Sequence, residues 1–374
     1  MPHTTTQLFR FEPTEGVCEY HAMLRVAQRG LTFIEQVESL HEALDRLVTH
    51  ELPGAVPVFR RYFLSDAANQ SASLRALLEG YEGGAISIVE QPPLDGSKVA
   101  LWVYLQTDVE VTPLAQGHCE VSHGAYRHLW SASRSAVGST SEEQTRGLFA
   151  DYVEHLAHQG CTLADHCLRT WFFVQNVDVN YAGVVRARNE VFSEQRLTPD
   201  THSIASTGIA GRHADPAVMV QMDAYAVAGL QSNQVSYLYA PTHLNPTHEY
   251  GVSFERGTRV DYGDRRHVLI SGTASIDNRG EVVHVGDIRR QTLRMWDNVE
   301  ALLSEAEMDF SHVCHLIVYL RDVADYAVVS EMFDHRFPNI PKVFLLAPVC
   351  RPGWLIEMEC MAIKGVANPA YAPY

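Results

Sequence analysis

Two stretches of the chain carry the same ordered set of elements, and this limits the fold more than any bulk property does. The later stretch opens on a strand, RRHVLISGTASID, closed by a glycine-containing turn, and continues into a helix, DIRRQTLRMWDNVEALLSEAEM. In that helix Leu293, Trp296, Val299, Leu302 and Leu303 recur at helical spacing behind Asp287 as N-cap. HVCHLIVYLRD follows as a buried strand, VADYAVVSEMFDHRF as a second helix and WLIEMECMAI as the last strand. The earlier stretch repeats the order as YRHLWSAS, SEEQTRGLFADYVEHLAHQG, HCLRTWFFVQNVD, NYAGVVRARNEVFSEQR and AVMVQMDAYAVAG, its first helix opening on a capping box from Ser141 to Gln144. Gln144 and Gln291 stand 147 residues apart (291 − 144), as do Cys167 and Cys314 (314 − 167), while Tyr181 and Tyr326 stand 145 apart (326 − 181). The expected fold is therefore α+β, a tandem duplication of one unit in which a mixed sheet carries its helices on one face.

Ahead of these copies, VFRRYFLSDAANQ and AISIVEQPPLDGSKVALWVYLQ read as strands and hairpins, with PLDG as a turn; QVSYLYAP reads the same way between the copies. GLQSN, residues 229–233, interrupts the apolar pattern. The expected division is an N-terminal domain over 1–230, with extra hairpins and an inactive copy of the unit, and a C-terminal domain over 231–374 with the substrate cleft.

The closing strand has a feature that packing alone does not explain. VCRPGWLIEMEC sets two carboxylates in an apolar run. Alternation puts Glu357, Glu359, Met361 and Ile363 on one face and Ile356, Met358, Cys360 and Ala362 on the other. The apolar set is expected to lie under the helices, so both carboxylates turn toward a cleft. Laying VMVQMDAYAV on LIEMECMAI sets Gln221 against Glu357 and Asp223 against Glu359, so the earlier copy keeps one carboxylate and has an amide for the other. A buried carboxyl with a raised pKa donates a proton near neutral pH, which makes Glu357 the candidate general acid. The plainer alternative is that Glu357 pairs with an arginine at an interface.

Charge narrows the substrate class. The formal net charge is −16, with no Lys/Arg cluster to override it, which disfavours nucleic acid and anionic membranes. An anionic substrate then needs locally placed arginines, and Arg256 in SFER and Arg321 in VYLRD are the candidates. The start, MPHTTTQLFRF, lacks the pattern of a secretion signal, and seven cysteines without CxxC or zinc-like spacing suit a reducing compartment, so a cytoplasmic protein without a metal is expected. GxGxxG, P-loop, GxSxG and HExxH motifs are all missing.

The run HVLISGTASIDNRGEVVHVGDIRRQTLRMWDNVEALL, followed by VYLRD and LIEMECMAI, resembles the Rid/YjgF superfamily, whose unit has a chorismate-mutase-like form. The resemblance covers residues 265–364 well and the earlier copy more faintly. RidA-type imine deaminases hold the substrate carboxylate with an arginine two residues after a proline; this chain reads Pro341-Lys342-Val343 there. NQVSYLYAP, YGVSFERGT, SGTASI and VCRPGWLIEME are similar instead to the chorismatases, a two-domain branch. That resemblance implies an enzyme that hydrolyses or eliminates the enolpyruvyl ether of chorismate or a similar cyclic carboxylate, releasing pyruvate with no cofactor. It maps the catalytic acid to Glu357. Beside it, Arg256 and Arg321 are expected to hold the carboxylates and Tyr250 and Ser253 to donate hydrogen bonds; Thr273 and Ala274 stand where a strand ends and backbone approaches a ligand, and Cys350, with no histidine close in sequence, is expected as a pocket wall. It also implies a homotrimer, with no nucleic-acid or membrane partner. Two alternatives stand beside it: a non-catalytic protein that binds a small carboxylate, and an enamine or imine deaminase with a relocated arginine.

Overall fold

A computed structural model describes residues 4–81 and 83–374, and in it the helix–strand order recurs three times. The first unit contains β1 (Thr4–Phe11), β2 (Glu19–Val26), α1 (Phe33–Arg46), β3 (Val56–Leu64), α2 (Ala67–Leu78), β4 (Ala85–Glu90) and β5 (Val99–Gln106). In the second, β6 (Glu110–Pro113), β7 (His118–His123) and β8 (Tyr126–Ser135) lead into α3 (Ser141–His158) and the short α4 (Leu163–His166). It continues through β9 (Cys167–Val174), α5 (Val177–Glu194), β10 (Ala205–Ala210) and β11 (Val220–Ala228). The third comprises β12 (Val235–Leu238), β13 (Gly257–Asp261), β14 (Arg265–Ala274), α6 (Ile288–Glu305), β15 (Val313–Leu320), α7 (Tyr326–Arg336), β16 (Lys342–Leu346) and β17 (Ile356–Gly365).

The sheet orders are β1-β2-β5-β3-β4, β10-β9-β11-β8-β7-β6 and β12-β13-β14-β17-β15-β16. Each is one pattern: a hairpin, then the last strand of the unit, then a strand that pairs in parallel with the edge strand. The tandem repetition expected from the sequence is present, and it extends to a further copy. The segments read as extra hairpins are that copy. β4 and β5 flank the PLDG turn yet do not pair, because β3 lies between them, and part of VFRRYFLSDAANQ begins α2. β11 ends at Ala228 and β12 begins at Val235.

One residue type latches each copy. Gln36, Gln144 and Gln291 are buried in the first turn of α1, α3 and α6, four residues after the N-caps Thr32, Thr140 and Asp287. Each side chain donates to a carbonyl of the loop before its helix: Leu31 (3.1 Å), Gly138 (3.0 Å) and His284 (3.2 Å). Each also accepts a backbone N–H at or just before the last strand: Lys98 (2.8 Å), Met219 (2.8 Å) and Leu355 (2.9 Å). Buried backbone groups left without partners at these joints would be costly, and the glutamine supplies both. In α3 the cap is Thr140, which accepts from the Glu143 N–H, one residue earlier than the box read from the sequence.

The three sheets close into a ring, helices outward. β4 meets β8 through Ile88 N–H on Ser133 Oγ (2.8 Å), and Glu90 at its end bridges Arg212, just after β10. β10 meets β14 through Ser206 N–H on Ser271 Oγ (2.8 Å) and Gly272 N–H on Thr207 Oγ1 (2.9 Å). The third unit returns to the first through a bridge between Pro93 and Leu345 and through Lys342 N–H on Gln7 Oε1 (3.1 Å). Three comparable junctions result.

Candidate active site

Residues of the last strands meet on the ring axis, and the two glutamates of β17 part company there. Glu359 accepts from Arg169 Nη2 (2.7 Å) and Trp171 Nε1 (2.9 Å), and also from Thr207 Oγ1. Arg61 lies 3.7 Å from it and forms a 2.8 Å ion pair with Asp223, its guanidinium over the Trp171 ring at 4.8 Å. All three units thus contribute to one buried network, in which each charge is partnered. The sequence expectation that Glu359 faces a cleft is corrected: it is the interface carboxylate, paired across units.

Glu357 lies outside that network. It is 5% exposed and lines a cavity of about 40 Å³ between the second and third units. Burial, and then the Glu359 charge, push its carboxyl up to about 8, despite Arg169 and Arg256. The group is thus a neutral acid at pH 7.

Two glycines make the room. A Cβ on Gly272 would stand 2.2 Å from Glu357 Oε1, and one on Gly208 would stand 2.5 Å from the Tyr181 ring. Register shows what fills these places elsewhere. At the junction of the first and second units, Ile88 and Ser133 replace the glycines, and Gln221 replaces Glu357 and donates to Ile88 O (2.9 Å). Where the third unit meets the first, the corresponding residues are Phe344, Met23 and Ala100. One cleft is open and acidic; two are packed.

Of the residues expected at the site, Glu357, Arg256, Ala274 and Cys350 line this cavity together. Arg256 Nη2 donates to Asn245 O (3.0 Å) and Oδ1 (3.1 Å). Burial and then the Glu357 charge push the Cys350 thiol up to about 12, and Tyr181 hydrogen-bonds it. Arg321 is elsewhere: it pairs with Asp178 of α5 at 2.5 Å and donates to Val349 O, which ties the second unit to the third. Thr273 is turned from the cavity, its hydroxyl on Ser271 O (2.9 Å), because β14 bulges beside it. Ser253 lines an adjoining chamber. The side chain of Tyr250 lies outside the described residues.

Sequence reasoning missed the second unit's share, Tyr181 and Arg188 on α5; Arg351, after Cys350, also lines the cavity. Arg188 is 1% exposed, and among the described residues its Nε and Nη2 have no acceptor. A buried guanidinium so placed at a cavity wall is set for an anion. Val343, two residues after Pro341, is buried, and the neighbouring Lys342 points its ammonium to Asp334 (3.0 Å) and Phe337 O (3.0 Å).

A family model described as endoribonuclease L-PSP matches residues 259–364. A RutC family protein of Pyrococcus abyssi is 35% identical over 100 residues, 26% of this chain and 78% of that protein. The 3-aminoacrylate deaminase RutC of Acinetobacter baylyi is 30% identical over 97 residues, 25% of this chain and 77% of that one. A chorismatase crystal structure superposes with TM-score 0.65 over 82% of this chain and 92% of that chain, at 19% identity, a likeness of fold.

Proposed function

Because the chain belongs to the Rid/YjgF superfamily of L-PSP and RutC proteins, we propose that its open cleft cleaves the enolpyruvyl ether of chorismate or a similar cyclic carboxylate. The observation that carries this reading is a neutral Glu357 in one cavity with the buried, unsatisfied Arg188. Enol ether cleavage begins with protonation of the alkene carbon, which leaves an oxocarbenium ion beside the carboxylate. Glu357 supplies that proton, and Arg188 with Arg256 and Arg351 holds the carboxylate so that the alkene faces the acid. Water adds to the cation and its proton returns to Glu357; the hemiketal then collapses to pyruvate and the ring alcohol. The likeness to the chorismatase fold supports the choice of substrate.

Incubation with chorismate and an assay for pyruvate tests this. Glu357→Gln, which keeps the shape but cannot donate the acid proton, is expected to lower kcat at least about 100-fold, the lower end of the usual range for general acid catalysis. A Glu357→Gln variant as fast as its parent sinks the mechanism. The relationship to a 3-aminoacrylate deaminase favours one second reading. Ammonia released from an enzymatically generated enamine, with no pyruvate from chorismate, would select it.

A further inference from the structure

The open junction differs from the packed ones in a further respect, on the side of Gly272 away from Glu357. β14 bulges between Ile270 and Thr273, so the Gly272 N–H takes its acceptor from the neighbouring unit, Thr207 Oγ1 at 2.9 Å. The same oxygen accepts from Arg169 Nη2 (2.5 Å) and donates to Glu359. A hydroxyl has one proton and two lone pairs, and here all three are used. Register sets Ser87 and Val343 at this place in the other two units. Val343 has no hydroxyl, and the buried Ser87 hydroxyl has no partner among the described residues. At the junction that Ser87 joins, the N–H matching that of Gly272 belongs to Ser133 and goes directly to Asp223 Oδ1 (2.7 Å). Among the described residues, the open junction alone sets a hydroxyl between the interface carboxylate and the bulged backbone. That backbone is also the wall of the acid. Glu357 Oε1 lies 2.2 Å from where a Cβ on Gly272 would stand, and Thr207 Cγ2 closes the other side at 3.1 Å.

We propose that Thr207 is a positioning residue: tied to the ion-paired Glu359 and to the Gly272 N–H, it fixes the backbone against which Glu357 donates its proton. It acts through Gly272 and not on the substrate. This rests on the reading of Glu357 as general acid on an enol ether.

Thr207→Val keeps the shape and removes the hydroxyl. With chorismate, kcat is expected to fall at least about tenfold while KM stays within about threefold, since misplacing a catalytic group by roughly 1 Å costs about 100-fold. The alkaline limb of its pH profile is expected to stay where the parent's lies, because Arg61, Arg169 and Trp171 still hold Glu359 ionised. Thr207→Ser, which has the hydroxyl but not the methyl group, is expected to restore kcat to within about threefold of the parent. A folded Thr207→Val with the parent's kcat, or a serine variant as slow as the valine one, overturns the positioning role and leaves the acid mechanism standing. A displaced alkaline limb assigns the hydroxyl to the charge of Glu359 instead and overturns it too. If Thr207→Val fails to fold, Thr207→Cys, whose thiol is a weaker donor and acceptor, decides by the same comparison of kcat. A parent protein that releases no pyruvate overturns the acid reading and this one together.

Discussion

Glu357 and Glu359 differ by two positions on one face of β17, and their surroundings give them opposite roles. Glu359 meets two guanidiniums and an indole N–H, whereas Glu357 meets burial and a like charge. The consequence is measurable through pH. The folded pKa of Glu357, about 8, is raised above the 4.5 it has when unfolded. Its contribution to stability is therefore fully present below pH 4.5 and is lost as pH rises through 8. Glu357→Gln removes this dependence, so the variant is expected to melt higher than its parent at pH 9, by a free energy of a few kcal/mol, and to match it near pH 4.5. For the parent enzyme, kcat/KM should fall above about pH 8 as the acid loses its proton. Melting curves that stay parallel from pH 4.5 to 9 would show that Glu357 is ionised throughout. The two carboxylates and their counterparts in the earlier copy, Gln221 and Asp223, were legible because alternation and alignment need only local sequence. The choice of Glu357 as the acid came from the amide in the earlier copy and the family resemblance; the ion partners of Glu359 were not legible, since Arg61 and Arg169 reach it from chain positions 298 and 190 residues away (359 − 61 and 359 − 169).

At the scale of elements, the cleft depends on where two strands lack a side chain. Gly272 on β14 and Gly208 on β10 face each other across the junction of the second and third units, and the matching strands elsewhere carry Ser133 with Ile88 and Met23 with Phe344. Gly272→Ala puts a methyl group where the Glu357 carboxyl lies, with Thr207 Cγ2 3.1 Å away on the other side. The carboxyl is the free end of a side chain and yields, so stability should fall by about 1–3 kcal/mol, while displacement of the acid by roughly 1 Å costs about 100-fold in kcat. An enzyme assay beside a thermal melt separates these; full activity in Gly272→Ala would show that Glu357 works from another rotamer. The further copy, the first unit, escaped sequence reading for an equally concrete reason. Its last strand has Ala100 and Trp102 in place of the two glutamates, so nothing polar marked it. The mark it does share is Gln36 four residues after the cap Thr32, the spacing also found at Gln144 and Gln291. Tyr181 and Arg188 were hidden differently: they reach the cleft from another unit, which only the ring brings near.

The ring as a whole has two junctions spanned by the chain itself and one, between the third unit and the first, held by noncovalent contact. Three units already complete the ring within one chain, so light scattering is expected to give the single-chain mass of 41.8 kDa, in place of the homotrimer that the family resemblance implied. A species of three times that mass would show that the outer surface carries a further interface. The noncovalent junction rests on Glu19, fully buried in β2, which accepts from Arg265 Nη1 (2.6 Å), bonds His267 Nε2 (2.9 Å) and is also bonded by Tyr104. Burial alone would raise its pKa, but the His267 and Arg265 charges outweigh it and hold the carboxyl well below its ordinary range. Its contribution is therefore present above pH 4.5 and lost as pH falls through the lowered value. Glu19→Gln removes one of the two carboxylates of Arg265, leaving Asp264 on its Nε (3.1 Å) and Nη2 (2.6 Å), so the cost falls below the about 3–5 kcal/mol of a fully stranded buried charge. The variant should accordingly melt below its parent at pH 7, with the gap narrowing as the solution is acidified and the parent loses the same interaction. Because Glu357 lies at a different junction, pyruvate release at low temperature should survive the substitution. Loss of both activity and stability together would mean that the open cleft exists only while the ring is closed at its far side.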